Sequence, residues 1–155
     1  IRQVAKTFGG VEHRIELVAV KNGVKYYNDS IASSPSRTIA GLESFSQKVL
    51  LIAGGYDKHI PYDVLGPVIC AHVKKLYLNG ATAEKIRQAV IQSPQYREGS
   101  PEIAMCGDLY RAVEAASREA QPGDVVLLSP ASAGFDQFKN FMERGNVFKK
   151  LVKEL

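Results

Sequence analysis

The chain has 155 residues, of which 45% are hydrophobic and 23% charged, as expected for one globular domain with a single core. Its 20 Lys and Arg against 16 Asp and Glu give a net charge of +4. This excess is dispersed and forms no basic stripe interleaved with aromatic residues, which argues against nucleic-acid binding. No apolar run approaches the length of a membrane span. Cys70 and Cys106 lack the spacing of a zinc site or a disulfide framework.

The first ten residues, Ile1–Gly10, carry neither an initiator Met nor a signal peptide. We interpret them as the end of a linker or helix from a preceding domain, closed by Gly9-Gly10. The sequence therefore predicts a piece of a longer protein, in which one domain occupies residues 11–155.

The N-terminal part of that domain has the pattern of a β-hairpin. Strand-like runs cover Arg14–Val20 and Val24–Asn28, and Asn22-Gly23 lies between them. Asn-Gly is the strongest short hairpin signal because both positions tolerate positive φ. We expect these two strands to be antiparallel.

The rest of the chain alternates between helix and strand patterns. Strands are predicted at Lys48–Ala53, Val73–Leu78, Glu102–Ala104 and Val125–Leu128. Helices are predicted from Ser34-Pro35, near Tyr62–Ala71, after the cap residues Thr82 and Asp108, and from Phe135 onward with an interruption around Gly145. This alternation predicts an α/β, Rossmann-like, mostly parallel sheet of about six strands, with helices on both faces.

Polar segments follow three of the predicted strands, at residues 28–34, 54–58 and 129–134. Ligands of open parallel sheets bind at the carboxyl ends of the strands, where loops and helix N-termini offer donors. Ser33, Lys58 and Asp29 are the informative side chains there. The alternatives are a helix-capping role for Ser33, a solvated side chain for Lys58 and an Asx turn for Asp29. His13, at the start of a strand, is expected to be structural.

Several catalytic patterns are absent from the sequence. There is no GxxxxGK[ST] phosphate loop, no GxGxxG fingerprint and no GxSxG nucleophile elbow. His13, His59 and His72 show no metal-ligand spacing. Pattern alone therefore predicts an α/β domain with an anion-friendly sheet edge, and assigns no catalytic residue and no metal ligand.

Three ordered motifs carry a resemblance to a known family. The sequence reads HRIE at 13–16 and NGVKYYNDS at 22–30, then LIAGGYDK at 51–58, and finally LLSPASAGFDQFKNFMERG at 127–145. Together they resemble the C-terminal domain of Mur ligases across essentially the whole chain. The third motif is similar to that of the member that adds D-glutamate.

The resemblance implies a cytoplasmic step of peptidoglycan synthesis that depends on ATP and Mg²⁺. In this family the L-alanine carboxylate of UDP-N-acetylmuramoyl-L-alanine is activated as an acyl phosphate, and the amine of D-glutamate attacks it. The central domain of the family holds the phosphate loop and the metal, and the first domain holds UDP. Neither would lie in this chain, so we expect it to be inactive alone.

The resemblance also implies roles for individual residues. Arg14 and Asp29 would contact the nucleotide, and Lys58 would pair with a carboxylate of glutamate. Ser33 stands where the family usually has Thr, and its hydroxyl can keep the same hydrogen bond. The remaining expected substrate contacts are the main-chain N–H of Phe135, the side chain of Phe141 and the backbone of Gly134.

Two positions depart from the family pattern. Ile31 stands where the family commonly has a Lys, and Gly134 stands where a Ser often bonds glutamate. These departures leave open a ligase for another amino acid or for folate polyglutamylation. The lack of catalytic patterns in the chain leaves open a second alternative, a stand-alone binding module.

Overall fold

A computed structural model of the chain describes residues 11–134 and 137–155. The described part forms one six-stranded sheet with five helices. The strands are β1 (Glu16–Lys21), β2 (Val24–Asn28), β3 (Val49–Ala53), β4 (Val73–Asn79), β5 (Glu102–Gly107) and β6 (Val125–Leu128). The helices are α1 (Pro35–Glu43), α2 (Leu65–His72), α3 (Ala83–Ile91), α4 (Leu109–Glu119) and α5 (Phe141–Lys153).

The strand order is β1-β2-β6-β3-β4-β5, with β1 and β2 antiparallel and the remaining pairs parallel. The predicted fold class is thereby confirmed. Asn22 (φ 55°) and Gly23 (φ 79°) both adopt positive φ between β1 and β2. That backbone is the one a two-residue hairpin loop needs, because it matches the twist of the flanking strands.

Two apolar layers cover the sheet. On one face, Val49, Leu51 and Ala53 of β3 pack with residues of α1, α2 and α3. On the other face, Leu50 and Ile52 pack with residues of α4 and α5. Because successive side chains of a strand point to opposite faces, the continuous apolar run of β3 is buried on both sides. The polar loops lie at the edge of the sheet formed by the carboxyl ends of the parallel strands.

Three predicted element starts were wrong. α5 begins at Phe141 rather than Phe135, because residues 137–140 form turns and bends. The other two differ by two or three residues. β1 begins at Glu16 rather than Arg14, because His13 (φ 65°) and Ile15 (φ 48°) adopt positive φ, outside the extended conformation of a regular strand. α2 begins at Leu65 rather than near Tyr62. The carbonyl of Tyr62 instead accepts a hydrogen bond from the N–H of Leu65 at 2.9 Å in the turn before the helix.

The predicted interruption of the last helix around Gly145 was wrong. α5 runs without a break from Phe141 to Lys153. A Cβ atom at Gly145 would overlap the ring of His13 and lie 3.0 Å from the side-chain nitrogen of Asn28. The glycine therefore marks a close approach between α5 and the start of β1, where only a residue without a side chain fits.

Some sequence predictions fall outside the described residues. These are the linker or helix end at residues 1–10 and the substrate contact of Phe135. Across residues 11–134 and 137–155, none of the helices is long and apolar enough to cross a membrane.

Candidate functional site

Three loops meet at the carboxyl ends of the parallel strands. We call residues 28–34, 54–58 and 129–134 together the carboxyl rim. The N–H of Ala131 donates to the carbonyl of Ala32 at 2.9 Å, which joins the first and third loops. The N–H of Tyr56 donates to the carbonyl of Ala133 at 2.7 Å, which joins the second and third. The rim is therefore one continuous surface, as the sequence predicted for these segments.

A buried hydroxyl network fixes the second and third loops. The Oγ1 of Thr82 accepts the N–H of Gly55 at 2.9 Å and lies 2.8 Å from the Oγ of Ser132. The hydroxyl of Tyr62 lies 2.9 Å from the same Ser132 oxygen. Thr82 is the N-cap residue of α3, as predicted, but its side chain makes no capping hydrogen bond to the helix. It holds Gly55 at the rim instead.

Arg144, in α5, connects the first and third rim loops through hydrogen bonds of its side chain. Its side chain is buried, with 3% of the residue exposed. One terminal nitrogen donates to the carbonyl of Ser132 and the other to the carbonyl of Ser30, both at 2.8 Å. Its Nε donates to the Ser30 hydroxyl at 3.0 Å, and that hydroxyl donates to the carbonyl of Phe141 at 2.7 Å. No role for this arginine was predicted from the sequence.

Asp29, the first residue after β2, is 3% exposed. Its Oδ1 accepts the N–H of Ile15 at 3.2 Å, and its Oδ2 accepts the hydroxyl of Ser129 at 2.8 Å. Burial raises the pKa of this carboxyl to about 6, and the two hydrogen bonds work against that rise. The Asx-turn alternative applies to its neighbour, because the N–H of Ser30 donates to the Oδ1 of Asn28 at 3.0 Å.

Asp29 forms part of the floor of a pocket of about 200 Å³, which we call the rim pocket. The pocket lies between the segment before β1, the first rim loop and α1. Its wall is made mostly of small and apolar side chains, and two arginines share it with the carboxylate. The lining residues are Arg14, Ile15, Asp29, Ile31, Ala32, Arg37, Ala40 and Gly41. Arg37 was not among the site residues predicted from the sequence.

The second rim loop presents Lys58. Its side chain is exposed and makes no hydrogen bond or ion pair with any residue between 11 and 134 or between 137 and 155. The adjacent Asp57 accepts the N–H of His59 at 2.7 Å and pairs with Lys85 of α3 at 2.8 Å. These bonds to Lys85 and to the His59 N–H lower the pKa of the Asp57 carboxyl, in that order of size. Lys58 is thus a cation on the rim that its neighbouring carboxylate does not neutralise.

The other predicted substrate contacts lie in the same region. Ser33 is half-buried in the first loop, and Gly134 is buried in the third. A Cβ atom at Gly134 would be 3.4 Å from the carbonyl oxygen of Asn140, an acceptable contact. Phe141 opens α5, and its ring packs edge-on against His13 with centroids 5.8 Å apart. Phe141 therefore contacts the ring before β1 and, through its carbonyl, the hydroxyl of Ser30 in the first rim loop.

His13 has the structural role expected from the sequence. It is 5% exposed, and its Nδ1 lies 2.9 Å from the side-chain nitrogen of Asn28. Because that amide nitrogen can only donate, Nδ1 accepts and the ring is neutral. Burial, followed by the charge of Lys149, lowers the pKa of His13 in agreement with this assignment. The ring fixes the segment that carries Arg14.

The fold and its rim define an α/β domain with a doubly wound, mostly parallel sheet and polar loops gathered at the strand ends. Residues 13–132 match the family model described as the glutamate ligase domain of Mur ligases, and the chain belongs to that family. Across all of its length, it is 62% identical to a UDP-N-acetylmuramoylalanine–D-glutamate ligase of Acetivibrio thermocellus. It is 51% identical to the enzyme of that name from Clostridium kluyveri. The chain spans 34% of the length of each of these relatives.

Solved structures with the same fold are more distant in sequence. A murein peptide ligase of Psychrobacter arcticus has a TM-score of 0.62 at 15% identity, over 96% of this chain and 30% of that one. A folylpolyglutamate synthase/dihydrofolate synthase of Yersinia pestis, complexed with AMPPNP and Mn, has a TM-score of 0.60 at 17% identity over 92% and 32%. A domain from Haemophilus ducreyi, with a TM-score of 0.59 and 18% identity, is matched over 98% of its own chain and 91% of this one.

Proposed function

We propose that this chain is the glutamate-binding part of an ATP-dependent, amide-forming ligase that adds D-glutamate to UDP-N-acetylmuramoyl-L-alanine. The reaction would be a cytoplasmic step of peptidoglycan synthesis. The observation that carries the proposal is the identity of 49–62% between the whole of this chain and ligases of that name. The rim also offers a cation that its neighbouring carboxylate does not neutralise. The chain accounts for about a third of such an enzyme. It would therefore act together with the remaining two thirds.

In this proposal, Lys58 binds a side-chain carboxylate of D-glutamate. A charge-assisted bond of this kind favours a dicarboxylic amino acid over a neutral one, because the neutral analogue leaves the cation unpaired. Ser33 and Phe141 border the same substrate, and the main chain around Gly134 and Phe135 contributes donors. Phe135 stays a prediction from the sequence.

Arg14 and Asp29 would face the nucleotide. The rim pocket supports this assignment, because it places a guanidinium group and a carboxylate beside apolar walls. A guanidinium suits phosphate oxygens, and a carboxylate suits ribose hydroxyls. Among the described residues, no cluster of three or more His, Cys, Asp or Glu side chains could hold a metal ion. We therefore place the Mg²⁺ that accompanies ATP mainly in the central domain, as the resemblance implies.

The proposal can be tested by grafting. The matching third of the A. thermocellus ligase is replaced by this chain to give what we call the chimaeric ligase. We expect it to release phosphate from ATP only when both UDP-N-acetylmuramoyl-L-alanine and D-glutamate are present. A parallel graft from the C. kluyveri relative, 51% identical to this chain, controls for damage caused by grafting itself. An active control graft beside an inactive chimaeric ligase would contradict the proposal, and so would a preference for another amino acid.

A further inference from the structure

The rim pocket contains a second arginine that the proposed function does not use. Arg37 is the third residue of α1, and it lines the pocket together with Arg14 and Asp29. Among the residues the structure describes, the side chains of Arg14 and Arg37 form no ion pair and no hydrogen bond. Two exposed guanidinium groups thus share one small pocket, and neither forms an ion pair with a described residue.

The charge of the carboxylate in the pocket acts on both arginines, but among the described residues it forms no ion pair with either of them. Both oxygens of Asp29 are already engaged, one by the N–H of Ile15 and the other by the hydroxyl of Ser129. The Oδ2 atom also lies against Gly41, where a Cβ atom would be only 2.8 Å away. These contacts fix the position of the carboxylate, and the two guanidinium groups remain available to an anion. Arg37 lies in the first turn of a helix, whose partial positive charge adds to this field.

We propose that Arg37 binds a phosphate group of the nucleotide, as a second guanidinium beside Arg14. This inference rests on the proposed function, in which the rim pocket receives the nucleotide. The guanidinium fork matches the oxygens of a phosphate in a bidentate manner, which a single lysine cannot do. The apolar walls formed by Ile15, Ile31 and Ala40 suit a nucleoside rather than a small, fully polar amino acid.

The same assignment accounts for the departure at Ile31. That residue is half-buried and lines the rim pocket, so it brings no charge to a place where the resembled family commonly has a lysine. Arg37 reaches the pocket from the neighbouring helix and supplies one. The pocket would then keep its positive charge, but Arg37 rather than residue 31 would supply it. This can be tested by placing a lysine at position 31 in a chain that lacks Arg37.

The first experiment measures nucleotide binding by the chain itself, with ¹H–¹⁵N NMR titrations of ATP and of adenosine. We expect Arg37→Ala to weaken ATP binding by about tenfold, as for the loss of one charge-assisted contact, and to leave adenosine binding unchanged. Arg118→Ala is the matched control, because Arg118 is exposed in the last turn of α4 on the other face of the sheet. It should leave both affinities unchanged.

The second experiment combines Arg37→Ala with Ile31→Lys, and we expect the added lysine to restore most of the ATP affinity. Equal ATP affinity in the wild type and in Arg37→Ala would overturn the inference. Equal losses of affinity for ATP and for adenosine would also overturn the inference, because they indicate a structural role for Arg37. A wild-type chain whose rim-pocket NMR signals do not respond to ATP would overturn it as well. In the chimaeric ligase, Arg37→Ala should raise the KM for ATP and not the KM for D-glutamate; the reverse contradicts the inference. An inactive chimaeric ligase would count against the proposed function alone, because the titrations do not depend on turnover.

Discussion

The ammonium group of Lys85 lies 2.8 Å from the Oδ2 of Asp57, and this ion pair connects α3 to the loop that carries Lys58. The Oδ1 of Asp57 also accepts the N–H of His59, which adopts a positive φ of 60°. The carboxylate next to Lys58 in the chain is therefore occupied on both oxygens. Of the two lysines near Asp57, Lys85 is paired with its carboxylate and Lys58 is not.

The first prediction concerns Lys58 itself. In the chimaeric ligase, Lys58→Ala should raise the KM for D-glutamate about ten- to a hundred-fold, the range for losing a hydrogen bond between charged groups. The KM for UDP-N-acetylmuramoyl-L-alanine should hardly change. Steady-state phosphate release at varied concentrations of each substrate measures both. Lys48→Ala is the matched control, because Lys48 is exposed just before β3, at the opposite end of that strand. An unchanged KM for D-glutamate in Lys58→Ala would remove this residue from the substrate site.

The second prediction concerns Lys85. Lys85→Ala leaves the Asp57 carboxylate free to turn towards Lys58, so the KM for D-glutamate should rise about two- to five-fold, a range typical of exposed ion pairs. Adding Asp57→Asn removes the competing charge and should bring the KM back towards the wild-type value. If the double variant is worse than Lys85→Ala alone, Asp57 helps to hold the loop rather than competing for Lys58.

The fold could be predicted from the sequence because its signals are local. The Asn22-Gly23 turn, the apolar run of Val49–Ala53 and the cap at Asp108 each determine an element without reference to the rest of the chain. The meeting of three loops at one rim follows from the same information, because parallel strands bring their carboxyl ends to a common edge. For these features, periodicity and turn chemistry were sufficient.

The remaining features depend on contacts between distant residues. Arg144 binds Ser30 across 114 positions of the chain, and Lys85 binds Asp57 across 28. An arginine in a helix is ordinarily interpreted as solvated, and nothing in its local sequence indicates a buried hydrogen-bonding role. Arg37 was missed for the same reason, since only the tertiary structure places α1 beside Arg14. The family resemblance predicted which loops form the rim, and the structure showed that Arg144 and Lys85 bind those loops.

The third prediction concerns the close approach of α5 to His13. Gly145→Ala should destabilise the domain by about 1–3 kcal/mol, because the new methyl group displaces the His13 ring and its contact with Asn28. This cost exceeds the gain of about 1 kcal/mol that Ala brings to a helix interior. Urea unfolding of the chain measures the difference.

Two comparisons sharpen that test. Gly134→Ala should cost little, because its Cβ atom would meet no atom closer than 3.4 Å. In a His13→Ala background, the destabilisation caused by Gly145→Ala should largely disappear, because the ring that it displaces is gone. A cost that persists unchanged in that background would assign the effect to the helix rather than to the contact with His13.

The fourth prediction concerns the pH dependence of stability set by Asp29. Its pKa rises from an ordinary value of 3.8 to about 6 in the folded chain, chiefly through burial. The folded state therefore holds its proton more tightly than the unfolded state does. The stability contributed by the protonated carboxyl is fully present below pH 3.8 and is lost as the pH rises through 6. About two pKa units correspond to roughly 3 kcal/mol at neutral pH as an upper bound.

Asp29→Asn tests this directly, because an amide cannot ionise and its hydrogen bonds can still be made. The Asn oxygen would accept the N–H of Ile15, and its NH₂ group would donate to the hydroxyl of Ser129, which can turn its own proton to the Oγ1 of Thr38 at 3.0 Å. We expect Asp29→Asn to be more stable than the wild type by about 1–3 kcal/mol at pH 8 and of nearly equal stability at pH 4. Urea unfolding at a series of pH values measures the gap, which should open between pH 4 and pH 7. A difference independent of pH would show that Asp29 titrates normally and that the positive charges of Arg14 and Arg37 offset its burial completely.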